Sequence, residues 1–226
     1  MEENTWIKHH KTVELNEPMA VVGSSGMRSI GKLVVDHLIK ELKPQLVAEL
    51  YSTHFPLIYQ TKPAYSPHPE LPGIGGVEIE SGEVGLPRVQ FYAHSHPPLI
   101  ITKGYNANFN GQYEVAGRVI DFFKELQVRR IVVVAGYGSK EKKVCCAATE
   151  GKIIDEIKNK FQIEVNYNGP FYGFSGLVFG LARLRGIEAL CLLVSAEPVP
   201  TDPEDPDEES SKMLLKKLNQ ILDLHS

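Results

Sequence analysis

Gly26, Gly31 and Lys32 have the spacing of a loop that cradles a phosphate group with its backbone N–H groups. Such a loop needs a hydroxyl for magnesium at the next position, where this chain has Leu33. Apolar residues recur every four positions from Ile30 onward, which predicts a helix that contains Gly31 and Lys32. We therefore favour a tight strand-to-helix turn packed closely on a sheet over a nucleotide-binding loop.

Two histidines, His94 and His96, are two positions apart near the end of a predicted strand. Side chains at this spacing share a face of a strand and could hold one metal ion. A catalytic zinc ion needs a third protein ligand, which the neighbouring sequence does not supply. We favour two histidines at the polar end of a strand, before Pro97 and Pro98.

The adjacent cysteines Cys145 and Cys146 precede a segment of small residues, 147–149, that we interpret as a turn into a helix. A helix N-terminus lowers the pKa of a thiol, so a reactive cysteine stays an open alternative. A nucleophile also needs a base and an orienting partner, which the sequence does not identify. We favour close packing for this pair.

Glycine-rich turns follow three predicted strands, at residues 23–26, 136–139 and 168–173. In doubly wound α/β proteins, ligands bind in the crevice at the carboxyl ends of the strands. We expect a pocket there, although the same turns could serve connection alone. We assign no catalytic residue, metal ligand or cofactor. The candidate pocket residues are Gly23, Ser24, Gly136, Gly138, Ser139, Asn168, Gly169, Tyr172 and Ser175.

The elements that must position this pocket alternate between strand and helix. Several strands are apolar throughout, which is typical of parallel sheets covered on both faces. We expect an α/β fold, a three-layer α/β/α arrangement with a mostly parallel central sheet, in which strands 77–80 and 88–94 pair with each other. Predicted strands lie at residues 19–23, 46–51, 77–80, 88–94, 98–104, 130–136, 162–166 and 187–194, and predicted helices at residues 30–42, 112–126, 149–161, 175–185 and 211–224.

Composition limits the class of protein. The 226 residues, 42% hydrophobic and 23% charged, suit one folded domain with an appendage. Residues 1–11 carry acidic groups where a signal peptide is basic and then apolar, and no apolar stretch approaches the about 20 residues that span a bilayer. Three cysteines without a C-x-x-C motif favour a reducing compartment. We expect a cytoplasmic protein that does not bind membranes.

The excess of negative charge comes from one segment near the C-terminus. Residues 197–211 contain seven acidic residues and no basic residue, which leaves 21 acidic against 24 basic residues elsewhere. The rest of the chain lacks the clusters of basic residues that nucleic-acid binding requires. We predict a core domain at residues 1–196, an acidic proline-rich linker at 197–210, and a C-terminal helix and tail at 211–226. The linker could hold the helix away from the body, or the helix could pack on its own domain or on a sister subunit.

Residues 168–193 read NGPFYGFSGLVFGLARLRGIEALCLL. This segment closely resembles the proteasome-assembly-chaperone family through the patterns G-P-x-x-G-x-S-G-L, G-L-A and R-G-I-x-A-L-C-L-L. Weaker similarity is found in LVAELYSTHFP (46–56), PLIITKG (98–104) and RRIVVVAGYG (129–138). The resemblance covers roughly residues 15–195 and the terminal helix.

The resemblance implies a phosphorylase/hydrolase-like α/β/α fold and a non-catalytic role. Family members hold α-type subunits of the proteasome core particle so that they join correctly, and archaeal relatives form homo-oligomers. Some members insert a C-terminal hydrophobic–Tyr–any motif into pockets between α subunits. Leu224, His225 and Ser226 occupy these positions here, with histidine in place of tyrosine. These three residues are therefore the predicted partner-binding residues.

A different function class stays open beside the chaperone. The crevice turns would also suit a small-molecule enzyme of the same fold, either nucleoside-processing or an ATP-dependent carboxylate–amine ligase. A ligase of this kind needs an acidic pair for magnesium, which the sequence does not show.

Overall fold

The computed structural model describes residues 4–56, 77–197 and 205–224, which form a mixed eight-stranded sheet, a separate two-stranded hairpin and five α-helices. The strands are β1 (Thr5–His9), β2 (Met19–Gly23), β3 (Gln45–Ser52), β4 (Glu78–Glu80), β5 (Glu83–Gly85), β6 (Val89–His94), β7 (Leu99–Lys103), β8 (Arg130–Gly138), β9 (Val144–Ala148) and β10 (Glu188–Ala196). The helices are α1 (Ile30–Leu42), α2 (Gln112–Glu125), α3 (Gly151–Phe161), α4 (Gly173–Leu184) and α5 (Glu208–Leu222), with a 3-10 turn at Met27–Ser29 before α1.

The large sheet has the strand order β1-β3-β6-β7-β2-β8-β10-β9. The four strands β7, β2, β8 and β10 are mutually parallel, whereas every pairing outside them is antiparallel. The predicted α/β fold is confirmed, but the prediction of a mostly parallel sheet is wrong. Residues 95–98 join β6 to β7, and a connection this short cannot make the crossover that parallel neighbours require.

Helices cover both faces of the sheet, as the apolar strands predict. One face carries α2 and α4, whose buried side chains include Phe123 and Val178. The opposite face carries α1, α3 and α5, with Val34, Ile157 and Leu218 buried against the strands. The three-layer α/β/α arrangement follows from this burial on both faces.

The segment before β6 differs from the expected pairing. β4 pairs with β5 in its own hairpin, and β6 pairs instead with β3 and β7. Ser81 (φ 51°) and Gly82 (φ 85°) form the two-residue turn between β4 and β5. Two consecutive positive φ angles give the turn whose twist suits a tight hairpin, so the local pairing wins over pairing with β6.

The cysteine pair lies in β9, the edge strand beside β10, and this strand also contains residues 147–148, which are part of the predicted turn. Cys145 packs in the cluster that includes α4, and Cys146 packs in the cluster that includes α1 and α3. Helices cover both faces of the sheet at β9, so the small thiol side chains of the two cysteines are buried on opposite faces. The strand predicted at 162–166 is reduced to one bridge between Glu164 and Cys145.

The C-terminal helix α5 packs on its own body, one of the alternatives that the sequence left open. It begins earlier than predicted, at Glu208, because the Asp207 carboxylate accepts a hydrogen bond from the Ser210 N–H at 2.9 Å and caps the helix. Its apolar stripe lies against α1 and β10. Residues 198–204 of the predicted linker lie outside the described residues. The buried leucines of α5 are Leu214, Leu218 and Leu222.

Candidate functional site at the carboxyl ends of the parallel strands

A cavity of about 490 Å³ lies where β2 and β8 end. Its lining comes from the turn after β2, the last residues of β8 and the segment that leads into α4. This volume falls within the range of about 300–1,000 Å³ that is typical of small-molecule sites.

The cavity sits at a topological switch point of the sheet. β2 and β8 are neighbours, but the chain continues from β2 through α1 to β3 on one side, and from β8 to β9 and β10 on the other. Connections that leave in opposite directions open a crevice between two parallel strands. The predicted location of the pocket therefore agrees with the geometry of the sheet.

The turn after β2 is built for close packing. A Cβ atom on Gly31 would overlap the Val134 carbonyl oxygen, and one on Gly23 would overlap the Gly31 carbonyl oxygen. Lys32 lies within α1, where its ammonium group pairs with Asp36 at 2.7 Å. The interpretation of this segment as a tight turn on the sheet is confirmed.

Some of the predicted pocket residues line the cavity in the structure, and the others lie outside its lining. Gly23 is buried beneath Gly31, and the Ser139 N–H is bonded to the Ala196 carbonyl at 3.0 Å. Asn168 and Gly169 are exposed on the segment that leads to α4. The predicted residues that line the cavity are Ser24, Gly136, Gly138, Tyr172 and Ser175.

Sequence reasoning missed Asn106, which connects two walls of the cavity. Its Oδ1 accepts a hydrogen bond from the Phe174 N–H at 3.1 Å, and its Nδ2 donates to the Ser25 carbonyl at 3.2 Å. Asn106 follows β7, which is parallel to β2. The signal that located the other turns was glycine-rich sequence after a strand, and here a single glycine, Gly104, follows β7. The rule that ligands bind at the carboxyl ends of parallel strands applies equally to this position.

Hydroxyl groups and aromatic rings dominate the lining. Ser24 and Ser175 are buried, with their Oγ atoms 3.0 Å apart. Tyr137 and Tyr167 pack edge to face with ring centroids 5.2 Å apart. Burial raises the pKa of both tyrosines above the ordinary value of 10.0, so both phenols are protonated at neutral pH. The described residues of the lining include no charged side chain, so this cavity suits a neutral group that stacks on aromatic rings and exchanges hydrogen bonds.

The histidine pair does not share a strand face. β6 ends at His94, whose Nδ1 lies 3.1 Å from the Pro97 carbonyl oxygen, and His96 is exposed in the turn that follows. Within the residues that the structure describes, no three His, Cys, Asp or Glu side chains are arranged to hold a metal ion.

The thiols of the cysteine pair are buried. Burial, aided by the neighbouring Cys145, raises the pKa of Cys146 to about 11. Burial also raises the pKa of Cys145, which Tyr137 opposes only in part. Protonated thiols are poor nucleophiles, so the geometry favours the close-packing interpretation.

The predicted tail residues are described only in part. Leu224 is half-buried beside an open depression of about 620 Å³ at the ends of α3 and α5, and its N–H donates to the Asn219 carbonyl at 2.9 Å. His225 and Ser226 lie outside the described residues. Across residues 4–56, 77–197 and 205–224, no helix has the length and apolar character needed to cross a bilayer.

Comparison with known proteins identifies a family and a relative in sequence. A family model described as the PAC2 family matches residues 20–226. The uncharacterized protein MJ1210 of Methanocaldococcus jannaschii is 25% identical over 214 residues, which cover 92% of this chain and 74% of that protein.

Solved structures of two Pyrococcus furiosus proteins share the fold. PbaB, described as an archaeal proteasome activator, aligns with a TM-score of 0.81 and 28% identity over 100% of this chain and 91% of its own. PbaA, described as an archaeal homolog of proteasome-assembly chaperone, aligns with a TM-score of 0.75 and 17% identity over 98% of this chain and 87% of its own. The family resemblance that residues 168–193 predict is therefore confirmed: the chain belongs to the PAC2 family.

Proposed function

We propose that this protein is a non-catalytic assembly chaperone or scaffold that binds α-type subunits of the proteasome core particle. In this proposal it acts in the cytoplasm as a homo-oligomer and needs no cofactor. The observation that carries the proposal is the 28% identity to PbaB over 100% of this chain, since PbaB is described as a proteasome activator. A protein that assembles or activates a proteasome must recognise the particle or its subunits.

The surface supports a role in binding other proteins. Phe109, Tyr172 and Leu184 are 90%, 80% and 77% exposed, respectively. Aromatic residues are enriched in protein–protein interfaces relative to the rest of the surface, so Phe109 and Tyr172 are candidates for contacts with other proteins. A body that presents such side chains suits a scaffold.

The tail is the proposed contact with the proteasome. Leu224 is separated from the end of α5 by Asp223 alone, and α5 packs on the body, so the tail starts from a fixed point. A short segment after a fixed helix loses little conformational entropy when it binds, because most of the chain leading to it is already ordered.

Binding to purified subunits tests the proposal. The full chain is immobilised and exposed separately to recombinant α-type and β-type proteasome subunits. We expect retention of the α-type subunit and not of the β-type subunit. Retention of neither, or of both equally, would overturn the proposal.

Two variants test the tail in the same assay. A chain that lacks residues 224–226 should bind the α-type subunit about tenfold more weakly, a loss of about 1.4 kcal/mol. Lys216→Ala, an exposed position on α5, is the matched control and should bind like the natural chain.

The cavity favours a second candidate function, the small-molecule enzyme of the same fold. Its location at the switch point between β2 and β8 is where such enzymes bind ligands. The melting temperature is measured with adenosine, and with ATP and magnesium. A ligand that binds the folded state raises the melting temperature further as its concentration increases, with a logarithmic dependence above the dissociation constant. An unchanged melting temperature argues against this candidate.

A further inference from the structure

The β4–β5 hairpin has one apolar face that none of the residues described in the structure covers. Ile79 and Val84 are cross-strand partners and are 78% and 72% exposed. Val77 and Leu86, at the base of the hairpin, are 48% and 52% exposed. Alternation of apolar and polar residues is the pattern of strands with one buried face, yet here all four apolar side chains contact water.

This hairpin is fixed to the body at its base. The Arg88 Nη1 donates to the Leu86 carbonyl at 2.8 Å, and the Arg88 Nε lies 2.6 Å from an oxygen of the buried Glu49 in β3. A two-stranded hairpin alone is marginally stable in water and needs a surface against its apolar face. The anchored base therefore presents a face that another surface must cover.

The end of α4 is a second apolar surface in contact with water. Leu184 is 77% exposed, and Leu177 and Leu181 of the same helix are partly buried. Phe174 and Val178 on the core side are buried, so α4 is apolar around most of its circumference. Helices of this kind are normally covered on both sides.

The two surfaces carry opposite charge. Residues 77–87 contain three glutamates, and the adjacent Arg88 is paired with Glu49. Residues 168–187 contain two arginines and no acidic residue, and Arg185 is paired with Asp121 of α2 at 2.9 Å, so Arg183 is the arginine that the contact uses. Both arginines are exposed. Opposite charges around two apolar patches favour contact between them, and pairing of two hairpins would instead bring like charges together.

The two surfaces lie at opposite ends of the parallel strands. β6 begins opposite the end of β7, since Gln90 pairs with Lys103, so the hairpin before β6 leaves at the carboxyl edge of the parallel strands. α4 ends just before β10, whose first residue Glu188 pairs with Arg130 at the start of β8, which is the amino edge. A contact between hairpin and α4 therefore joins two molecules head to tail.

We propose that the β4–β5 hairpin of one copy docks on the end of α4 of a second copy, with Ile79 and Val84 against Leu184 and Glu83 beside Arg183. Each copy supplies one hairpin and one α4 end, so the contact is heterologous and closes into a ring or extends into a chain of copies. The inference depends on one part of the proposed function, namely that the protein forms homo-oligomers. It is independent of binding to α-type subunits.

Sedimentation velocity of the full chain tests the contact. The natural chain should form particles larger than a monomer, and Glu83→Lys or Arg183→Glu should weaken self-association by about tenfold. The double variant Glu83→Lys/Arg183→Glu should restore it, because the charges are exchanged. Lys216→Glu, exposed on α5, is the matched control and should sediment like the natural chain.

Mixing distinguishes this contact from others. Ile79→Asp copies keep an intact α4 end and Leu184→Asp copies keep an intact hairpin, so each should be monomeric alone and the mixture should form 1:1 dimers. Far-ultraviolet circular dichroism checks that each variant is folded, as expected for exposed positions. A monomeric natural chain, unaltered association of the variants, or no dimer in the mixture would each overturn the proposal. Hairpin variants that lose only α-subunit binding would assign the surface to the proteasome and overturn it as well.

Discussion

The Oγ atoms of Ser24 and Ser175 lie 3.0 Å apart across the candidate cavity, and both residues are buried. Ser24 follows the strand β2 and Ser175 belongs to the first turn of α4. Asn106 adds a second connection, because it donates to the Ser25 carbonyl and accepts from the Phe174 N–H. Side-chain hydrogen bonds thus join walls of the cavity that are distant in the chain.

We predict that Ser24→Ala and Ser175→Ala each lower the free energy of unfolding by about 1 kcal/mol, since each leaves a buried hydroxyl without its partner. The double variant should cost clearly less than the sum, because removing both hydroxyls leaves no such group. Urea unfolding of the four proteins measures this coupling. Simple additivity would show that the two hydroxyls do not interact.

The packing of α5 leads to a prediction about stability. Leu218→Ala should lower the free energy of unfolding by about 2–5 kcal/mol, because Leu218 is fully buried against the body. Lys216→Ala on the exposed side of the same helix should change it by less than about 0.5 kcal/mol. Equal small effects of both changes would mean that α5 projects from the body in solution.

Acid should destabilise the protein through Asp36. Burial alone would raise the pKa of this carboxyl, but the ammonium groups of Lys103 and Lys32, at 2.8 and 2.7 Å, lower it below its ordinary value of 3.8. A carboxyl whose pKa is lower in the folded state stabilises the fold above 3.8, and this stabilisation is lost as the pH falls through the lowered pKa.

The measurement is the free energy of unfolding between about pH 2 and pH 6. Asp36→Asn should be less stable than the natural chain near neutral pH and should show a shallower loss of stability in acid. Asp155→Asn, at an exposed position of α3, is the matched control. Identical pH profiles for the natural chain and Asp36→Asn would contradict the assignment.

The cysteines should be unreactive in the folded protein. Burial raises the pKa of Cys146 to about 11 and raises that of Cys191 strongly, and all three cysteines are free and buried. A thiol-specific chromogenic reagent at pH 8 should detect almost no thiol in the folded chain and all three after unfolding in urea. Cys146→Ser should lower that number to two. Rapid reaction of one thiol in the folded chain would point to a functional cysteine.

Much of the parallel core could be predicted from the sequence. The apolar runs in β2, β8 and β10 indicate strands buried on both faces. The glycines that follow β2 and those in the last residues of β8 mark the segments that line the cavity. The site could be predicted this far because the carboxyl ends of parallel strands meet at one edge of a sheet.

The remaining features depend on tertiary structure. The residues of β9, VCCAA, are small and show no alternation, and they form a strand because β10 offers an open edge between two helical layers. The antiparallel placement of β6 beside β7 follows from the short connection at residues 95–98, whereas its pairing with β3 depends on tertiary structure. Asn106 belongs to the cavity through contacts with Ser25 and Phe174, which are remote in sequence.

Native mass spectrometry of the natural chain mixed with purified α-type proteasome subunits tests the proposed function most directly. We predict a species whose mass corresponds to a complex that contains both proteins, and no such species with β-type subunits. Spectra that contain only the separate masses, at concentrations where the chain is folded, would contradict the proposed function.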